Sequence, residues 1–361
     1  MEIDLFPAGE LETVFRVLRT ALKPAGPLEP SKKKFLETYS RIAGRSWQPA
    51  TGPFPIRPEE VKVEGAHRRK RLLQLASIAA LFSNPVRPDS VGFVKDLARS
   101  LDAFDPVIPV LEALVDGRRL KARLLTARRG LRVLLKEAYV AEGVAGVARF
   151  VAALAFQARV NKAKLWKYKR LGLLPEGTLG REYWKHLTEL GFGFPGEPAG
   201  IPDSLAYHDV GHVLTGYETN PSGEIQQGCF QGGNRRQDGF FFIQFALLQF
   251  HQGIQLTPIA KPEVGNFDPV NVLWAIHRGA SCTVDITHQM EPLAADAARL
   301  GTGAREVWAP AQARATVRRG LRPSKATQVF ASRSSETVSP RRPSISEWPE
   351  ARPVAGGLIY D

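Results

Sequence analysis

Apolar residues recur at helical spacing through most of the first 290 positions. Leu11, Val14, Phe15, Val17, Leu18 and Leu22 fall three or four residues apart, which predicts an amphipathic helix ended by Pro24 and Pro27. Ser31 can cap a second helix that runs through Ile42 and stops at Gly44. A proline-rich loop over 49–58 follows. Next come an apolar helix over 72–82, a Pro85/Pro88 break and a helix over 90–101. Long helices are expected over 115–169. Leu120, Leu124, Leu131, Leu134 and Leu135 form the apolar side of the first, and Val147, Phe150, Val151, Leu154 and Phe156 belong to a more apolar second. The run Phe240–Phe250 is apolar nearly all round and reads as buried core, or as a wall for an isoprenoid tail. From Met290 on periodicity is lost and Ala, Arg, Ser and Pro make up about half of the residues, a composition expected to be disordered. The expected fold is therefore all-α: a helical module over 1–125, a helical metal-site domain over 126–289 and a disordered tail over 290–361.

Composition narrows this picture. A chain of 361 residues allows two domains and can bury a large core without disulfides. Its two cysteines, Cys229 and Cys282, exclude a disulfide framework, fit a reducing compartment and read as small core residues. The net charge is +13, and the segment 117–170 alone accounts for it, with 15 Lys/Arg against Glu137 and Glu142. That segment reads either as a solvated helical face or as a contact with an anionic membrane surface. Nucleic acid is not expected, because neither zinc-finger spacing nor an aromatic ribonucleoprotein pattern is present. The acidic start Met1-Glu2-Ile3-Asp4 is unlike a secretory or transit signal. The charge-free stretch 239–260 is interrupted by Gln249, His251, Gln252, Gln255 and Pro258, and the stretch 138–158 by Glu142 and Arg149. The expected location is cytoplasmic, peripheral on the inner face of the cell membrane.

The chemistry concentrates in 202–224. Asp203 or Ser204 can cap a helix that ends near Gly216. On a helical wheel, Ala206, Val210, Val213, Leu214 and Tyr217 form one stripe, and His208, Asp209 and His212 lie nearly opposite. Two imidazoles one turn apart suit a single metal ion. After eleven further residues Glu224 follows, in the first turn of a helix capped by Asn220 and begun by Pro221. Such nitrogen and carboxylate donors suit Zn²⁺, with Mn²⁺ or Fe²⁺ as alternatives. Other readings stand beside this one. The histidines could be hydrogen-bonded at the surface, Asp209 could orient one of them, and Glu224 could serve only the helix dipole. Gly228 and Gly232 would let a neighbouring helix or a flat ring approach closely. Arg235, Arg236 and Arg278 could hold a substrate carboxylate, or form surface salt bridges.

His208-Asp209-x-x-His212, eleven residues and then Glu224 resembles the signature of the fourth coenzyme-Q (Coq) protein family of ubiquinone biosynthesis. The flanks 175–183 and 219–224 are similar to that family as well, and the resemblance covers about 167–285. It implies a mostly helical fold with His208, Asp209, His212 and Glu224 as a zinc-binding set. The implied substrate is a polyprenylated aromatic acid, decarboxylated at C1 of its ring and hydroxylated there, with Glu224 or Asp209 moving the proton. Peripheral membrane association and other quinone-biosynthesis proteins as partners are implied too. The chain departs from the family in its long N-terminal module and after Thr287-His288-Gln289. That module resembles the TerB-like helical modules in its two-part pattern, with Asn84-Pro85 where those carry Asp-Gly. Two other functions fit parts of the pattern. One is a His-Asp metal-dependent phosphohydrolase, for which His67 and Asp268 would be further ligands. The other is a non-catalytic lipid-binding scaffold with a structural metal.

Overall fold

Helix boundaries follow the punctuation of the sequence. A computed structural model describes residues 1–44, 55–155, 161–198, 200, 206–257 and 260–282. Among them the chain is all-α: twelve α-helices, two 3₁₀ turns, no strand, and an isolated β-bridge between Gln252 and Val264. The first five helices are α1 (Ala8–Leu22), α2 (Pro30–Ile42), α3 (Ala66–Leu81), α4 (Pro88–Ser100) and α5 (Ile108–Val115). The long α6 (Arg119–Ala155) and short α7 (Lys162–Lys169) come next. The last five are α8 (Leu179–Leu190), α9 (Ala206–Thr215), α10 (Pro221–Asn234), α11 (Phe240–Phe250) and α12 (Pro269–Ala280). Proline occupies the first turn of α2, α4, α5, α10 and α12, where its missing N–H costs no hydrogen bond. At α2 this corrects the expected cap: the helix begins at Pro30, ahead of Ser31, with no side-chain cap. Asn220 and Asp268 do cap, each accepting from a backbone N–H three residues on, at 2.9 Å. The expected caps Asp203 and Ser204, residues 287–289 and the tail over 290–361 lie outside the described residues.

Two hydrophobic clusters hold the helices. The larger begins at Met1 and Ile3, takes in the inner faces of α1 to α5 and Ala122 of α6, and continues into Ile225, Phe230, Phe240, Leu247, Leu273 and Ile276. Position 125 falls within α6, and the apolar core runs on both sides of it. The smaller cluster joins Tyr168, Leu171, Leu179, Tyr183, Leu187 and Phe194 to Ala206 and Val210 of α9. Leu214 packs against both, so α9 is wedged between them.

The aromatic run forms α11, and most of it is buried. Its neighbour explains the small residues of α10. A Cβ at Gly228 would lie 2.6 Å from Ala246 Cβ, and one at Gly232 would lie 2.4 Å from Ile243 Cγ1. The close approach is therefore that of a helix, α11.

A buried polar network crosses the larger core. Asp105, fully buried before α5, accepts from Arg129 of α6 at 2.8 Å, Gln74 of α3 at 2.8 Å and the Val107 N–H at 2.9 Å. Arg129 also donates to Gln244 of α11 at 2.6 Å. One carboxylate thus links the N-terminal helices to those around α10.

The basic segment maps mainly onto α6. Ala122, Thr126, Gly130 and Val133 face inward, while Leu120, Leu124 and Leu131 are exposed on the far side. The exposed Lys121, Arg128 and Arg132 flank that stripe on one edge and Arg123 on the other. A shallow open recess lies here, lined by Gly117, Arg119, Leu120, Lys121, Leu124 and Arg128. Among the described residues no helix is long and apolar enough to cross a membrane.

Candidate metal centre

α9 carries His208 and His212 one turn apart, and the turn over 216–220 returns the chain so that α10 brings Glu224 up to them. Gly216 takes φ +75°, a left-handed conformation that ends α9, and Pro221 with Asn220 restarts the chain as α10. His208 Nε2 lies 3.0 Å from Glu224 Oε2, His212 Nε2 lies 3.5 Å from Glu224 Oε1, and the two Nε2 atoms are 3.3 Å apart. One donor atom from each residue falls within 4.8 Å of the others. At a Zn–N distance of about 2.0–2.1 Å, tetrahedral geometry places two ligand nitrogens about 3.3 Å apart.

The far side of each ring supports the same assignment. His212 Nδ1 lies 3.0 Å from the Tyr217 carbonyl, and His208 Nδ1 lies 3.2 Å from Gln231 Oε1. Both partners are acceptors, so each Nδ1 carries the proton and each Nε2 keeps a lone pair aimed at the centre. Two lone pairs 3.3 Å apart repel unless a proton or a metal ion lies between them. The residues present therefore fit a divalent ion.

Without a metal, a proton takes that place. Burial works against the His208 imidazolium, but the hydrogen bond and charge of Glu224 overcome it and raise its pKa to about 9. Burial likewise works against the Glu224 carboxylate, and its bonds to His208 and His212 hold it down at about 2.

Asp209 lies on the same helix, buried, but outside the three-residue cluster. Burial raises its carboxyl pKa above the ordinary aspartate value, against the pull of His208 and His212. The structure thus brings together His208, His212 and Glu224 and leaves Asp209 beside them.

The packing around the cluster is tight. A Cβ on Gly211 would fall 1.9 Å from Gln227 Nε2, so α9 and α10 meet through a glycine. Thr215 Oγ1 lies 3.0 Å from Gln227 Oε1, and Arg278 of α12 donates to the Thr215 carbonyl at 3.1 Å.

The three candidate arginines have protein partners. Arg235 is buried, pairs with Glu137 of α6, and its guanidinium carbon stands 4.4 Å from the centre of the Phe242 ring. Arg236 donates to the Cys282 carbonyl at 2.7 Å. Arg278 lies over the Tyr217 ring at 5.3 Å. His67 is exposed beside Glu2, and Asp268 caps α12, so neither joins the cluster. Cys229 and Cys282 are buried free thiols whose pKa burial raises.

A third imidazole was not singled out by the sequence. His186 of α8 stacks on His212, with ring centroids 5.9 Å apart and planes 17° apart. Burial and the neighbouring His212 lower its pKa to about 4. Its signal was weak, because it precedes the motif by more than 20 residues and has no histidine one turn away.

Comparison of the chain with protein-family models, curated proteins and solved structures finds no match.

Proposed function

We propose that this protein is a divalent-metal-dependent enzyme of quinone-ring modification, a decarboxylase acting on a polyprenylated aromatic acid at a membrane surface. The carrying observation is the convergence of His208 Nε2, His212 Nε2 and a Glu224 oxygen within 4.8 Å. Zn²⁺ suits this donor set best, with Mn²⁺ or Fe²⁺ as alternatives. Three protein ligands leave a coordination position open, which favours catalysis over the closed shell of a structural site and so over a scaffold. A phosphohydrolase of the His-Asp type is disfavoured because His67 and Asp268 lie outside the cluster.

When bound, the metal supplies Lewis-acid stabilisation of the negative charge that develops as carboxylate leaves as CO₂. His208, His212 and Glu224 hold it, with Tyr217 and Gln231 fixing the rings. Asp209, buried next to a ligand and outside the ligand set, is the residue assigned to deliver a proton to the ring carbon. The substrate class rests on the resemblance of the His-Asp-x-x-His-x₁₁-Glu segment and its flanks to the ubiquinone-biosynthesis family.

The outward face of α6 supports an anionic membrane as partner. Its leucines can enter the headgroup boundary while each flanking Lys or Arg contributes about 1 kcal/mol near anionic lipid. Other quinone-biosynthesis proteins, and a cytoplasmic site on the inner face of the cell membrane, belong to the same proposal.

Two measurements test it. Elemental analysis of purified protein should find about one zinc per chain, and none in a His208→Ala, His212→Ala double variant. A strain carrying Glu224→Gln should lose its quinone, and normal quinone levels there would refute the enzyme reading.

A further inference from the structure

The ring of His186 carries a nitrogen with no assigned task. Its Nε2 is buried and has no hydrogen-bond partner, although the ring lies against a metal-ligand histidine. Leaving a buried polar atom unpaired is costly, and such atoms at a site mark where a ligand bonds. His186 comes from α8, on a different element from the three ligands, and its own ring is held from two sides. His212 stacks on one side, and Phe192 meets it edge-on with centroids 6.1 Å apart. This ring is positioned by packing. The nitrogen is enclosed by that packing and still unpaired.

Two other buried amide nitrogens near the cluster also lack a partner, but they face elsewhere: that of Gln231, whose oxygen meets His208 Nδ1 on the far side of the ring, and that of Gln227, packed against Gly211. A centre with three protein ligands has room for an oxygen donor from a bound molecule. His186, against the ring of His212, brings an unpaired nitrogen to that centre. The arginines named as carboxylate anchors are tied to Glu137, to backbone carbonyls and to aromatic rings, so the task falls to another residue.

We propose that His186 is a substrate-binding residue of the centre, its Nε2–H donating to a carboxylate oxygen of the aromatic acid brought to His208, His212 and Glu224. This rests on the function proposed above, and it adds a residue outside the His-Asp-x-x-His-x₁₁-Glu pattern. His186 is not a ligand in this arrangement, because its nitrogens do not join the group that converges within 4.8 Å.

The test uses the full chain loaded with zinc, and benzoate as probe, followed by calorimetry. The variants are His186→Phe, which keeps a ring to stack on His212 and Phe192, and His186→Gln, which restores a side-chain N–H. Zinc content is measured on each. Expected are wild-type zinc content and melting temperature for both variants, benzoate binding weakened about tenfold to a hundredfold in His186→Phe, and partial recovery in His186→Gln. Co²⁺ substituted for zinc gives a second readout: benzoate should perturb its visible spectrum in the wild type at concentrations that leave His186→Phe unchanged.

Benzoate binding to His186→Phe as tightly as to the wild type overturns the proposal, as does a wild type that does not bind benzoate. Loss of zinc from His186→Phe overturns it too, making His186 part of the metal's support. Failure of the proposed function reads out separately, as wild-type protein that takes up no metal at all.

Discussion

Asp105→Ala should cost this protein about 3 kcal/mol, enough to unfold a marginal domain. The carboxylate is fully buried and receives Arg129, Gln74 and the Val107 N–H within 2.9 Å. Truncation leaves a largely buried guanidinium, an amide and a backbone N–H without their acceptor. Breaking a buried ion pair from one side costs about 3–5 kcal/mol. The lower end applies because Arg129 keeps Gln244 Oε1 at 2.6 Å. Whole-protein stabilities are about 5–15 kcal/mol, so the loss is a large fraction of the total. Asp105→Asn should lose less, about 1–2 kcal/mol, since one oxygen can still serve Val107 and Arg129 while the new amide faces the Gln74 amide. Urea unfolding with linear extrapolation measures both variants. Because the network joins α3, α6 and α11, wild-type unfolding should be a single transition, with zinc released at the same urea concentration. A cost below about 1 kcal/mol for Asp105→Ala at unchanged slope would refute the reasoning.

Three other outcomes are expected. Zinc binding should tighten about tenfold per pH unit from pH 6 to about pH 8.5 and level off near pH 9: the proton that His208 holds below its raised pKa must leave, whereas Glu224 is already ionised, and a pH-independent affinity in competition titrations would contradict this. Gly211→Ala should push Gln227 out of place, cost about 1–3 kcal/mol and weaken zinc binding, and wild-type values for both would show that the α9–α10 contact gives way freely. Vesicles with anionic lipid should bind the protein at low salt and release it as salt rises, and Leu124→Asp should weaken that binding at every salt without altering zinc content; equal binding by the variant, read by flotation, would remove the α6 face from the account.

The helices were legible wherever the sequence combined periodicity with punctuation. Asn220-Pro221 marks the start of α10 at its true position, and the starts expected after Ser31 and at 90 lie within two residues of the observed starts of α2 at Pro30 and α4 at Pro88. Ser31 misled because a cap and a proline one residue apart compete for the same role, and the fixed φ of Pro30 wins. The wheel of α9 set the histidines opposite the apolar stripe, and the spacing to Glu224 anticipated their meeting. It could not say which carboxylate would turn inward. Asp209 and His208 are adjacent, about 100° apart on the helix, so Glu224 approaching His208 and His212 from α10 need not meet Asp209. Contacts between distant segments were beyond reach. Arg235 with Glu137, Asp105 with Gln74 and Arg129, and His186 against His212 each join helices far apart in sequence.

The eleven residues between His212 and Glu224 act as a physical part of the site. His212 needs an acceptor for Nδ1, and the Tyr217 carbonyl, five residues on, provides it only because Gly216 ends α9 there. Thr215, one residue earlier, meets Gln227 of α10 and receives Arg278 of α12 on its carbonyl, which fixes the angle at which the two site helices part. Asn220 and Pro221 then start α10 so that Glu224 falls in the first turn, where the helix dipole also favours its charge. Removing one residue from this stretch would rotate Glu224 by about 100° around α10 or break the Tyr217 contact. The spacing thus gives His212 Nδ1 its acceptor and still delivers a carboxylate to the Nε2 atoms of both histidines. The same logic explains why the glycine at 211 matters: the return path closes only if α10 can settle against the backbone of α9 between the two histidines.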